Sequence, residues 1–124
     1  MSTKNHNFRK LKVWEEAIEL VAEIYKEAAK YPKEEKYGII SQIQRASVSI
    51  ASNIAEGSAR GTNPDFIRFL YISKGSIAEV ITLLFIAVEL EITNQDSVDE
   101  LTKKLIYIDN SIFKLINTLN KQSS

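Results

Sequence analysis

From Leu11 onward the apolar side chains Leu11, Trp14, Ile18, Val21, Tyr25 and Ala28 return every three or four positions, with Glu15, Glu16, Glu19, Glu23, Lys26 and Glu27 between them. That spacing sorts the two sets onto opposite sides of an α-helix. The helix is expected to end near Tyr31, because Pro32 disfavours helical geometry in the residue before it and cannot donate to a continuing ladder. A second helix is predicted to start around Lys33 to Glu35, where carboxylates suit the positive end of the helix dipole. Its core stripe is Ile39, Ile43, Ala46, Ile50 and Ile54, with Ser47, Ala51 and Ala55 keeping the adjacent positions small. Glycine is the usual residue where a chain leaves a helix in left-handed geometry, so this helix should stop between Gly57 and Gly61.

Asn63 as a cap, Pro64 in the first position and Asp65 behind it predict an immediate restart. The third helix should run towards Leu90, with Phe66, Phe69, Leu70, Ser73, Ile77, Val80, Leu84 and Ala87 on one stripe. Ile67, Ile72, Ile81, Phe85, Ile86 and Val88 point in other directions, and a helix apolar on several sides must be covered on several sides. In a chain this small that surplus leads us to expect self-association. Ser97 and Glu100 fit a capping box opening a fourth helix. Along it Val98, Leu101, Leu105, Ile108, Ile112, Leu115 and Leu119 alternate threes and fours, and Ile106, Tyr107, Phe113 and Ile116 widen the seam. Four helices with short connections imply an all-α, antiparallel up-down-up-down four-helix bundle. The predicted organisation is one domain over residues 9–121, a disordered tail at 1–8 and a frayed end at 122–124.

Polar residues interrupt the second and third helices at helical spacing: Gln42, Arg45, Ser49, Asn53 and Glu56, then Arg68, Tyr71 and Glu79. In an antiparallel hairpin turning near Gly61 to Asn63, residues whose numbers add to about 124 stand level, at a rise of about 1.5 Å per residue. Arg45 is then level with Glu79, Glu56 with Arg68, and Asn53 with Tyr71. We expect an interior polar seam with two interhelical ion pairs, since a buried charge is costly unless paired. The local competitor is an exposed Glu56–Arg60 pair four residues apart.

The 124 residues suit one domain, with 44% hydrophobic and 26% charged side chains. Sixteen basic residues balance sixteen acidic ones, which removes the strong basic field typical of nucleic-acid binders. The balance is uneven along the chain: residues 1–75 hold 12 basic and 9 acidic side chains, and the remainder 4 and 7. No cysteine is present, which excludes disulfides and thiolate chemistry and fits the cytoplasm. The N-terminus lacks a secretory pattern, and the apolar run from Val80 to Val88 is shorter than the roughly 20 residues of a membrane span. Glu56 and Glu79 could be written as acid and base, but no nucleophile, base and orienter set accompanies them, and the single histidine, His6, lies in the tail. No enzyme activity, cofactor or metal is expected. Candidate nucleic-acid contacts are Arg9, Lys10 and Lys12 beside Trp14, with Lys33 and Lys36 at the start of the second helix; the plainer account of these lysines and arginines is solvated helix-end charge.

The segments KLKVWEEAIEL, EEKYGIISQIQRASVSIASNIAEGSAR and FIRFLYISKGSIAEV resemble the four-helix-bundle proteins encoded in intervening sequences of bacterial 23S ribosomal RNA genes, over roughly residues 9 to 120. The resemblance implies a bundle that assembles as a homopentamer. It also implies kinship in fold with the accessory protein of diversity-generating retroelements, which is implicated in binding nucleic acid and a reverse transcriptase. Relatives often carry proline where Ala51 stands, and the retroelement proteins are strongly basic where this chain is neutral. The expected function is a non-enzymatic homo-oligomer with RNA or a nucleoprotein as candidate partner; the alternative is a structural or protein-interaction scaffold without nucleic-acid affinity.

Overall fold

A computed structural model describes residues 7–123; His6 and most of the expected tail lie outside them, as does Ser124. A short 3-10 turn at Phe8–Lys10 leads into α1 (Lys12–Ala28). A 3-10 turn at Lys33–Glu35 and a π-helical turn at Lys36–Ile40 lead into α2 (Ser41–Ser58), followed by α3 (Asn63–Glu89) and α4 (Gln95–Ser123). Ahead of α1, Asn7 caps the first turn and Phe8 packs edge-on against Trp14 with ring centroids 5.2 Å apart. At the other end α4 continues through Gln122 to Ser123.

Cross-helix bonds give the topology. Ser49 Oγ meets Ser76 Oγ at 2.8 Å and Ser73 Oγ donates to the Ile50 carbonyl at 2.7 Å, pairs that add to 125 and 123, so α2 and α3 are antiparallel in the expected register. Lys74 bonds Asp109 at 3.0 Å and Asn63 reaches the Leu119 carbonyl at 3.4 Å, which sets α4 antiparallel to α3. Lys104 of α4 pairs with Glu23 of α1, closing the bundle.

The start of α2 is later than expected, because the backbone leaves helical values at Gly38 (φ −111°, ψ −112°) and a regular helix begins only at Ser41. Its exit is as expected: α2 ends at Ser58, and Gly61 takes φ 92°, a conformation glycine adopts without steric cost. Thr62, not Asn63, caps α3 by accepting from the Asp65 N–H. Asn94, not Ser97, does the same for α4, accepting from the Ser97 N–H at 2.9 Å. Between them α3 closes with a Schellman motif: Glu91 takes φ 60°, Ile92 N–H bonds the Ala87 carbonyl and Glu91 N–H the Val88 carbonyl.

All the core positions named for α2 and the whole first stripe of α3 are buried. By length and composition α3 is apolar enough to cross a membrane, but here it is the helix packed between α2 and α4. In α4 the buried line ends Ile112, Ile116, Leu119, with Leu115 only half-buried. The repeat stretches from a strict heptad towards the 3.6 residues of an undistorted helix.

The largest departure is in α1. Its core line is Val13, Ala17, Leu20, Ile24 and Ala28, one residue and about 100° round from the expected stripe. Trp14 and Val21 are half-buried, while Ile18 and Tyr25 are 45% and 40% exposed. Helix α1 thus carries two apolar stripes, and the bundle covers one.

Candidate functional site

That uncovered stripe faces α2. Trp14, Ile18, Val21 and Tyr25 of α1 and Val48 and Ala51 of α2 line an open groove of about 570 Å3 that is almost wholly apolar. Val48 is 44% exposed, and Ala51 and Ser52 keep the floor low. The offset of about 100° between two lines of three-four spacing on one helix makes the groove. Burial of Ala17 in the core line lets α1 sit close to its neighbours, while the bulkier aromatic line is left at the rim. Exposed apolar side chains continue on α3 as Ile72, Phe85 and Ile86, and on α4 as Ile106, Tyr107 and Phe113.

The polar seam exists only at its centre. Ser49 and Asn53 lie half-buried between α2 and α3, where the Asn53 amide donates to the Ser49 carbonyl and hydroxyl, both at 2.8 Å. Ser73 and Ser76, which were not assigned to the seam, complete it. Gln42, Arg45, Glu56, Arg68, Tyr71 and Glu79 are exposed, and the expected intrachain pairs Arg45–Glu79 and Glu56–Arg68 are not formed. Glu56 bonds Arg60 at 3.0 Å, Arg68 lies 3.5 Å from Asp65, and Arg45 donates to Ser41 Oγ at 3.3 Å. The reason is angular. The α3 face that meets α2 runs Phe69, Ser73, Ser76 and Val80, so Arg68, Gly75 and Glu79 each stand one residue, or about 100°, away from it. Level matching fixed the height of each residue and left its direction open.

The five candidate nucleic-acid contacts do not converge. Arg9, Lys10 and Lys12 lie at the end of the bundle that holds the α2–α3 turn, whereas Lys33 and Lys36 lie at the opposite end; all five are exposed. Lys36 sits over the Tyr37 ring, 5.5 Å from its centroid. At the first end two further cations gather: Arg60 and Arg68 both stack on Phe69, at 4.7 and 4.5 Å from the ring centroid. The opposite end carries Glu34, Glu35, Glu89, Glu91, Asp96 and Asp99 together with Lys30, Lys33 and Lys36, an acidic excess there, whereas Arg60 and Arg68 at the first end are each paired with a carboxylate.

One buried acid stands apart. Glu27 is 5% exposed and its Oε2 accepts from Tyr31 Oη at 3.0 Å and Thr93 Oγ1 at 2.6 Å. Burial first, and then the adjacent Glu27 charge, push the Tyr31 phenol far above its ordinary pKa. The cluster ties the end of α1 to the α3–α4 connection. Among the described residues no group of three or more His, Cys, Asp or Glu side chains is placed to hold a metal ion.

Fold and surface together define a class, the all-α antiparallel four-helix bundles, here with an uncovered apolar groove and charged ends. The sequence matches the family model of the 23S rRNA-intervening sequence protein over residues 9–114, and the chain belongs to that family. Its fold is similar to the crystal structure of a protein of unknown function from the S23 ribosomal protein family from Bacteroides thetaiotaomicron VPI-5482. The TM-score is 0.78 with 22% identity, over 84% of this chain and 97% of that one. At that identity the likeness is one of fold. No curated protein matches the chain.

Proposed function

We propose that this protein is a non-enzymatic scaffold that works as a homo-oligomer, assembled through the α1–α2 groove. The observation that carries the reading is the second apolar stripe of α1, in which Trp14, Ile18, Val21 and Tyr25 form a continuous line with Val48 of α2. Contiguous exposed apolar surface of this kind marks interaction sites, whereas scattered single side chains do not. Light scattering after size exclusion tests it. A mass several times 14.1 kDa is expected, five times if the count implied by the resemblance holds, and Ile18→Lys in the groove is expected to return the chain to a folded monomer. A wild-type mass near 14.1 kDa at all concentrations removes the reading.

RNA binding is a second reading, favoured by one observation: Arg9, Lys10 and Lys12 share an end with the Arg60 and Arg68 pair on Phe69. Copies aligned side by side would repeat that basic end around one rim. Retention of structured ribosomal RNA should then fall with salt, because phosphate contacts release counterions, and Arg60→Gln with Arg68→Gln should weaken it. Retention no stronger than that of an unrelated neutral protein at low salt ends this reading.

A further inference from the structure

We propose that the occupant of the groove is α3 of a second copy of this chain, lying antiparallel to α2 in a heterologous contact that closes into a ring; this rests on the self-association reading above. Charge favours this contact. The outward side of α2 carries Arg45 and Glu56, and the outward side of α3 carries Arg68 and Glu79, all exposed. Each pair spans eleven residues, close to three helical turns, with the cation nearer the N-terminus. Parallel contact would set like charges together. Antiparallel contact sets Arg45 against Glu79 and Glu56 against Arg68 at once.

Height along the bundle agrees with it. Those pairs both add to 124, and the bonds within the chain add to 125 and 123. In a ring whose axis runs along the helices every copy stands at the same height, so α2 must meet its neighbour's α3 in the register it uses with its own. The outward charges satisfy that condition. A register displaced along the axis would give an open helical array instead.

Apolar surface also matches at the same register. Ile72, 44% exposed, falls level with Ser52 on the groove floor beside Val48. Tyr37, 89% exposed, falls near the level of Ile86, itself uncovered in one chain. A concave groove and a convex helix are also unlike surfaces, as a heterologous contact requires and a two-fold contact of the groove with itself does not. Across the boundary the local pairs Glu56–Arg60 and Arg68–Asp65 join into a quartet of alternating charge.

The absence of cysteine from the chain allows a clean test. Differently tagged Ser52→Cys and Ile72→Cys chains are co-expressed, purified at oligomer mass and mildly oxidised. A mixed disulfide-linked dimer is expected, with no dimer from either variant expressed alone. In addition, Arg45→Glu should lower the mass in light scattering, and adding Glu79→Arg to the same chain should restore it. Oligomer mass without the mixed dimer, dimerisation of one variant alone, or a mass indifferent to Arg45→Glu overturns this arrangement while leaving self-association intact. A wild-type mass of one chain overturns both.

Discussion

Gly57→Ala is expected to destabilise the protein by about 2 kcal/mol, within the range of overpacked core substitutions. Inside a helix the same change ordinarily stabilises by about 1 kcal/mol, so the sign itself is informative. Gly57 lies in the last turn of α2, where that helix crosses the start of α3. A Cβ there would sit 2.7 Å from Phe69 Cβ, 3.0 Å from Phe66 Cδ1 and 3.2 Å from the Phe66 carbonyl oxygen. The first and last of these contacts are with atoms fixed to the backbone, so no rotamer change relieves them. Phe66 is buried in the core, and Phe69 is held under Arg60 and Arg68. The hairpin must therefore open at its tight end, which pulls apart the Ser49–Ser76 and Ser73–Ile50 bonds further along. Urea unfolding should show a lower midpoint with an unchanged slope, the signature of altered stability without altered exposed surface. A midpoint at or above that of the wild type would show that the close approach is not needed.

The same hairpin shows what was legible in the sequence. Its register was, because the turn between Gly57 and Asn63 fixes the height of every residue behind it, and Ser49 does meet Ser76. The core positions of α2 and α3 were legible because each helix has one clearly buried line. Direction was not. On α3 the apolar residues cover more than one side, so charged residues level with opposite charges looked like partners when they stand about 100° round the helix. On α1 two lines with the same spacing compete. Size favoured Trp14, Ile18 and Tyr25, but packing among four helices selected the slimmer line through Ala17. The groove, and with it the candidate docking face, is the direct result of that selection. A signal was present nonetheless: Glu27 falls on the line of Leu20 and Ile24, and a carboxylate on a core line with a tyrosine four residues on announces a buried polar cluster.

That cluster gives the other large effect. Glu27→Leu should cost about 2–4 kcal/mol, because it leaves the Tyr31 and Thr93 hydroxyls without their acceptor and each unsatisfied buried group costs roughly 1–3 kcal/mol. The loss is not the worth of the cluster. Replacing all members at once, as Glu27→Leu with Tyr31→Phe and Thr93→Val, leaves nothing unsatisfied and should recover most of the stability, as apolar replacement of buried polar groups often does. A triple variant as unstable as Glu27→Leu would mean that apolar packing cannot replace the cluster. Tyr31 adds a pH signature. Its folded pKa is raised, by burial and by the Glu27 charge, above the ordinary phenol value of about 10. The folded state then holds this proton more tightly than the unfolded state. The associated stability is fully present below pH 10 and is lost as pH rises from there towards the folded pKa. Chemical denaturation from pH 8 to 11 should show a decline above pH 10 in the wild type that Tyr31→Phe reduces. Equal declines in both would place the alkaline sensitivity elsewhere and free Tyr31 of the Glu27 charge.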